Sequence, residues 1–166
     1  MATATMTPGT AQAGKFLSFI LGDQEYGVEI LKVQEIKSLT GLTRVPRTPE
    51  CMRGVVNLRG RVIPVVSLRR KFGLPTVFDT ERTCIVVVQV KHGGHEALLG
   101  IVVDEVSEVL SLGEGQLGPA PRFSHSLEDA GCIAGTGQLE NKVVVLLDID
   151  QVMDGAELAA VMQAAG

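Results

Sequence analysis

Residues 54–68 have the sequence GVVNLRGRVIPVVSL, which predicts a β-hairpin. Two runs rich in β-branched residues flank a polar centre at residues 57–60. Gly60 is suited to this centre because glycine adopts the positive φ angle of a tight turn without steric cost. Residues 68–73 then predict a single helical turn that a glycine ends.

The same pattern occurs again near the end of the chain, over residues 135–149. Its glycine, its leucine and its run of valines fall on the corresponding positions of residues 54–68. Residues 27–36 likewise align without gaps on residues 100–109. The order of strand signals is therefore the same in both halves of the chain.

This order predicts two similar units, over about residues 15–76 and 80–153, with chance similarity between β-rich segments as the alternative. Each unit is small for an independent core, so we expect the two to share one. The predicted fold is mainly β, with two small barrels of short strands and few short helices. Residues 1–14 are predicted to be a loose tail. Residues 154–166 are predicted to form a C-terminal helix, because apolar residues recur there at helical spacing.

The composition excludes several classes of protein. The chain has 166 residues with a net charge of -4 and 4% aromatic residues, which disfavours nucleic-acid binding. Three cysteines without a CxxC pair indicate neither a zinc knuckle nor a disulfide scaffold. A membrane span needs about 20 apolar residues, and the apolar runs here are much shorter. We therefore expect a cytoplasmic protein without direct membrane insertion.

Two short motifs that often mark binding sites occur here without the surrounding residues that such sites need. Residues 113–118 match GxGxxG, but Pro119 follows at once, so no helix begins there to meet a pyrophosphate. His92 and His95 have the spacing of metal ligands but flank a Gly-Gly turn. We predict no cofactor, no metal site and no catalytic residue, and therefore no enzyme.

One difference between the two repeats involves charged residues. Arg59, at the tip of the first predicted hairpin, is replaced by Glu140 in the second, whereas Glu35 is retained as Glu108. A Glu35–Arg59 pair would orient a docking surface among apolar residues. The alternative is a surface ion pair that contributes at most about 1 kcal/mol.

Three segments together resemble the CheW family of bacterial chemotaxis coupling proteins. They are residues 16–36, the NLRGRVIP region within residues 54–68, and the LGIVVDEV segment at residues 99–106. The resemblance covers about residues 15–153. It implies two SH3-like five-stranded β-barrels and a scaffold rather than an enzyme.

The resemblance also implies the partners. Such proteins link the cytoplasmic tips of methyl-accepting chemotaxis receptors to the regulatory domain of the histidine kinase CheA, in membrane-associated arrays. The receptor's helical hairpin is expected in an apolar groove between the barrels, and Phe123 is expected at the contact with the kinase in the ring. The residues that the motifs place on the receptor side are Val33, Glu35, Ile36, Gly54, Arg59, Val106 and Val109.

Three other functions remain open at this point. A coupling module of the same type in a non-flagellar pathway, such as type IV pilus or second-messenger control, has the same sequence pattern. A fragment of the kinase itself or of a coupler–receiver fusion is disfavoured, because no ATP-binding motif or receiver pocket is visible. A small-molecule enzyme is disfavoured by the absence of a catalytic constellation.

Overall fold

The computed structural model describes residues 6–7, 11–92, 94–121, 132–153 and 155–165, and strands dominate it. The strands are β1 Met6–Thr7, β2 Gly14–Leu21, β3 Gln24–Glu29, β4 Val33–Ser38, β5 Met52–Leu58, β6 Arg61–Ser67, β7 Cys84–His92, β8 His95–Val103, β9 Glu105–Leu112, β10 Leu117–Gly118, β11 Ala120–Pro121, β12 Ile133–Leu139 and β13 Lys142–Leu147. The helices are α1 Leu68–Lys71 and α2 Gly155–Ala165, with 3-10 turns at Ile30–Lys32, Glu114–Gln116 and Ile149–Gln151. The predicted mainly β fold with a C-terminal helix is confirmed.

Two large sheets contain most of these strands. The five-stranded sheet has the order β4-β7-β8-β6-β5, and the six-stranded sheet has the order β10-β12-β13-β3-β2-β9. The sixth strand of the second sheet, β10, has two residues. β1 and β11 form a separate two-stranded pair. Strands β4 and β9 are thus each at an edge of their sheet.

The sequence repeats do not coincide with the sheets. β4, β5 and β6 come from the first repeat, but they share a sheet with β7 and β8 from the second. Two parallel pairings, β6 with β8 and β13 with β3, join strands of one repeat to strands of the other. Gly100 and Gly27 occupy equivalent places in these contacts. A Cβ on Gly100 would lie 2.8 Å from Ile85 Cγ2, so the close approach there requires glycine.

The hairpin of residues 54–68 forms as predicted. β5 and β6 are joined at Arg59 and Gly60, whose φ angles are 54° and 86°. The Asn57 side-chain oxygen accepts a hydrogen bond of 2.9 Å from the Gly60 N–H, which stabilises the turn. α1 follows, and Gly73, with φ of 74°, lies just beyond it.

The main core lies between the two sheets. Side chains of β2, β7 and β8 meet there, among them the fully buried Phe19, Val86 and Ile101. Helix α2 covers this core with Leu158 and Val161. The expectation of a core shared by the two halves therefore agrees with the packing.

An ion pair fixes the beginning of α2 to α1. Lys71 Nζ lies 2.6 Å from Glu157 Oε1, and the Cys51 thiol donates to the other carboxylate oxygen at 3.6 Å. Burial beside this carboxylate raises the pKa of the Cys51 thiol to about 11. The helix is thus attached by charge as well as by apolar packing.

The predicted loose tail, residues 1–14, lies partly outside the described residues. Of its described part, β1 pairs with β11. The Ala11 N–H donates to the Ala134 carbonyl at 3.2 Å, and β2 begins at Gly14. These described residues are therefore held against the second half of the chain.

Candidate functional site

Edge strands β4 and β9 carry five of the seven predicted receptor-facing residues. Val33, Glu35 and Ile36 lie on β4, and Val106 and Val109 lie on β9. The repeat alignment pairs β4 with β9 position by position. The structure therefore places these residues on two equivalent edges, one in each sheet.

A bulge interrupts the pairing at the same point on each edge. On β4 the register with β7 shifts between Val33 and Glu35. On β9 the register shifts opposite Ser18 of β2, whose hydroxyl accepts a hydrogen bond of 3.2 Å from the Glu108 N–H. A bulge twists an edge strand and redirects its side chains, so both edges are shaped in the same way.

The four aliphatic side chains of these edges divide by burial. Val33 and Val106 are partly buried and pack against the core that lies between the sheets. Ile36 and Val109 are 47% and 51% exposed. Each edge therefore has one anchored valine and one exposed aliphatic residue.

The predicted Glu35–Arg59 pair is present. Arg59 Nη1 lies 3.0 Å from Glu35 Oε2, and the two side chains are 80% and 26% exposed. Because Arg59 is at the hairpin tip, the pair joins the β5–β6 turn to edge strand β4. An ion pair this exposed contributes little to folding, but it leaves the guanidinium available to a partner.

The second repeat achieves a related arrangement with different residues. Lys142 Nζ lies 3.2 Å from Glu108 Oε2 and 3.0 Å from Glu25 Oε1. The hydrogen bonds that Lys142 donates to the Glu25 carboxylate raise the pKa of Lys142. The cation of this edge therefore comes from β13 rather than from the turn, where Glu140 stands in place of Arg59.

Gly54 differs from the other predicted residues because it is buried. Its φ is 146°, and a Cβ there would overlap the carbonyl oxygen of Thr43. Thr43 and Val55 exchange two backbone hydrogen bonds of 2.8 Å at this point. Gly54 thus allows the segment after β4 to close against β5, and the structure does not place it with the exposed residues of the edges.

Phe123, the residue predicted at the kinase contact, lies outside the described residues. The structure instead exposes apolar residues that the sequence did not single out. Val62 and Val143, which are equivalent in the two repeats, are 50% and 52% exposed, and Phe78 is 97% exposed. The alternation of Val62 with the buried Ile63 is the sequence signal that indicates its outward direction.

Neither a metal cluster nor a membrane span is found in the part of the chain that the structure describes. No group of three or more His, Cys, Asp or Glu side chains there is arranged to hold a metal ion. Among the same residues, no helix has the length and apolar character needed to cross a bilayer.

Comparison with known proteins gives one consistent family. The model of the CheW-like domain matches residues 15–157. The chain is 39% identical over 161 residues to a "Chemotaxis protein CheW" of Klebsiella aerogenes, covering 97% of this chain and 94% of the relative. It is 34% identical over 140 residues to the protein of that name in Helicobacter pylori, covering 84% and 81% of the two chains.

A solved structure has the same fold. The crystal structure of the scaffolding protein TtCheW from Thermoanaerobacter tengcongensis superimposes with a TM-score of 0.75. The sequences are 26% identical, and the match covers 88% of this chain and 96% of the other.

Proposed function

The chain belongs to the CheW-like domain family, and from this we propose that it couples methyl-accepting chemotaxis receptors to the histidine kinase CheA. Members of this family are scaffolds of chemotaxis, so the chain is an adaptor and not an enzyme. The coupling itself, its two partners and the residues involved are our proposal.

The observation that carries the proposal is the pair of equivalent edges with exposed aliphatic residues. Ile36 and Val109 each leave about half of their surface in contact with solvent. Exposed aliphatic residues beside an oriented charge are suited to an amphipathic helix, which binds through apolar anchors and takes its register from charged pairs. The cytoplasmic tip of a receptor, a helical hairpin, offers such helices.

Charge supports the same assignment. The Arg59 guanidinium is 80% exposed although it already contacts Glu35. It therefore retains donors for a carboxylate on a partner, at the edge strand that also carries Ile36. We propose that Arg59 sets the orientation of the receptor helix while Ile36 and Val109 supply apolar area.

The kinase is assigned to a different surface. Phe123 is our candidate for this contact, from the family resemblance. A scaffold needs two separate surfaces, because the receptor state reaches the kinase only if both partners are bound at once. The proposed location is cytoplasmic, at membrane-associated receptor arrays.

Two titrations of the full chain test this function. One uses a receptor tip fragment and the other uses the CheA regulatory domain, each followed by a mixture of all three. We expect both partners to bind and the three to form a ternary complex. Mutually exclusive binding, or no binding of the receptor tip, would contradict the proposal.

The alternative is a coupling module of a non-flagellar pathway, such as type IV pilus or second-messenger control. The titrations separate the two functions if receptor tips and kinase domains from both pathways of the native organism are compared. Selective binding of the non-flagellar pair would favour the alternative.

A further inference from the structure

Two ion pairs lie where the chain crosses from one sheet to the other. The first crossing, from β3 to β4, is the 3-10 turn Ile30–Lys32, and Lys32 Nζ lies 3.0 Å and 2.9 Å from the two carboxylate oxygens of Asp150. The second crossing, from β8 to β9, is at Asp104. Arg69 Nε and Nη2 donate to its two oxygens at 2.8 Å and 2.6 Å. We call these the crossover ion pairs.

The crossover ion pairs occupy corresponding places in the repeat, to within one residue, but have opposite polarity. Arg69 and Asp150 are the residues that follow the matched segments 61–68 and 142–149. Asp104 aligns with Leu31, next to Lys32. The cation and the carboxylate have therefore exchanged places between the two halves.

A backbone N–H that each carboxylate binds supports this correspondence. Asp104 Oδ2 accepts a hydrogen bond of 2.9 Å from the Gly22 N–H, just after β2. Asp150 Oδ1 accepts one of 2.8 Å from the Lys91 N–H, near the end of β7. β2 is the neighbour of edge strand β9, and β7 is the neighbour of edge strand β4. Each carboxylate thus binds the strand beside an edge as well as the opposing cation.

The surroundings favour a fixed geometry. The side chains of Arg69 and Asp104 are 15% and 26% exposed, and those of Lys32 and Asp150 are 24% and 23% exposed. Two hydrogen bonds to one carboxylate restrict its orientation more than a single contact does. The Arg69 guanidinium also donates to the Pro75 carbonyl at 2.8 Å, so it is held on both sides.

We propose that the crossover ion pairs are positioning devices for the two receptor-facing edges. Val33 follows Lys32 directly, and Val106 comes two residues after Asp104. Each pair therefore fixes the beginning of one edge strand relative to the other sheet. This inference rests on the proposed receptor contact, since it assigns Val33 and Val106 to that contact.

The inference requires that the two edges respond separately. Loss of the Arg69–Asp104 pair displaces Val106 and leaves Val33 in place. Loss of the Lys32–Asp150 pair displaces Val33 and leaves Val106 in place. A general loss of stability has no such selectivity, because both valines pack on the same core.

The experiment uses the full chain with Asp104→Asn and Asp150→Asn as matched variants, and Lys32→Gln as a second variant of its pair. The methyl NMR signals of Val33 and Val106 are recorded well below the melting temperature. Affinities for a receptor tip fragment and for the CheA regulatory domain are then measured. We expect each variant to shift the methyl signal of its own edge and to weaken receptor binding about fivefold, with kinase binding unchanged.

A rescue variant tests the reversed polarity. Arg69→Asp combined with Asp104→Lys copies the arrangement of the other crossing, where the carboxylate follows the hairpin and the cation lies in the crossover. We expect it to restore the Val106 signal and the receptor affinity that Arg69→Asp alone loses.

The outcomes separate this inference from the proposed function. If both methyl signals move together in every variant, or neither moves, the positioning role is wrong. If the wild-type chain does not bind the receptor tip, the proposed function fails, and the methyl signals still decide whether each pair positions its own edge. Normal receptor affinity in variants with shifted methyl signals would also overturn the inference.

Discussion

The guanidinium of Arg59 and the carboxylate of Glu35 lie 3.0 Å apart and join the tip of the β5–β6 hairpin to edge strand β4. Arg59 adopts a φ of 54°, which residues other than glycine and asparagine rarely adopt. The hairpin tip and the ion pair thus bring an exposed cation to edge strand β4, which also carries the exposed Ile36. An ion pair this exposed contributes little to folding, which is consistent with the proposed role of Arg59 in receptor binding.

Replacing Arg59 is therefore expected to affect binding more than stability. Arg59→Asn removes the charge while retaining a residue that tolerates this φ, and Arg59→Ala removes the whole side chain. We expect each to change the free energy of unfolding by no more than about 0.5 kcal/mol. Affinity for the receptor tip should fall about tenfold, measured by calorimetry alongside thermal melting.

Arg61→Ala is the matched control, because Arg61 is exposed on the same hairpin. It should leave receptor affinity within about twofold of the wild type. A large loss of stability in Arg59→Asn, with receptor binding intact, would show that Arg59 is structural.

The exposed aliphatic residues give a second prediction. Ile36→Asp or Val109→Asp places a charge where the bound receptor would exclude water, which costs a few kcal/mol of binding at about 1.4 kcal/mol per factor of ten. We expect at least about tenfold weaker binding of the receptor tip. Kinase binding should not change.

Val62→Asp and Val143→Asp are the controls for these variants. The two valines have nearly the same exposure, 50% and 52%, but do not belong to the proposed receptor surface. Equal losses of receptor affinity in all four variants would show that the proposed receptor surface is wrong. Equal losses of receptor and kinase affinity would show that the two sites overlap.

Much of the fold followed from local sequence signals. The hairpin turn at Arg59–Gly60, the single turn of α1 and the helix α2 depend on neighbouring residues, and each formed where it was expected. The Glu35–Arg59 pair was found from a difference between the repeats. These features need no knowledge of distant contacts.

The arrangement of strands could not be predicted in the same way. A repeat alignment shows which segments are similar, but not that β6 pairs with β8 of the other repeat. The crossover ion pairs were missed for the same reason. Arg69 and Asp104 are far apart in sequence, and the second repeat reverses their charges, so the alignment conceals the equivalence.

Gly54, which the motif places on the receptor side, is buried at a close backbone contact. Its φ of 146° and the nearby Thr43 carbonyl leave no room for a Cβ. We therefore expect Gly54→Ala to lower the free energy of unfolding by about 2 kcal/mol or more, measured by urea denaturation. Receptor affinity, measured at low temperature on the folded fraction, should be less affected.

Gly60→Ala is the control for this substitution. Gly60 also has a positive φ, 86°, but an added Cβ there would meet open space. Only the conformational cost of about 1 kcal/mol is expected. If both variants lose the same stability, the close approach of Thr43 does not determine the effect.

Two aspartates near the crossings, Asp104 and Asp148, are expected to change the stability of the folded chain with pH in opposite directions. The hydrogen bond from Arg69 lowers the pKa of Asp104, and the Gly22 N–H acts in the same direction against burial. Burial raises the pKa of Asp148, which follows β13 directly, with a smaller opposing contribution from the Asp150 N–H. A lowered pKa in the folded chain means that the charged carboxylate stabilises the fold. A raised pKa means that the charged carboxylate destabilises the fold.

The stability that Asp104 contributes is therefore present above its unfolded pKa of about 3.9, and it is lost as the pH falls through the lower folded value. Asp104→Asn should be less stable than the wild type at pH 7, and the difference should shrink below about pH 4. Asp148→Asn keeps a side-chain oxygen for the Asp150 N–H and removes the cost of the buried charge. It should be more stable than the wild type at pH 7, with the difference vanishing as the pH falls through the raised folded value toward about 3.9. Urea denaturation of the three chains between pH 3 and pH 8 measures both differences, and curves that shift in parallel across this range would contradict the assignment of either carboxylate.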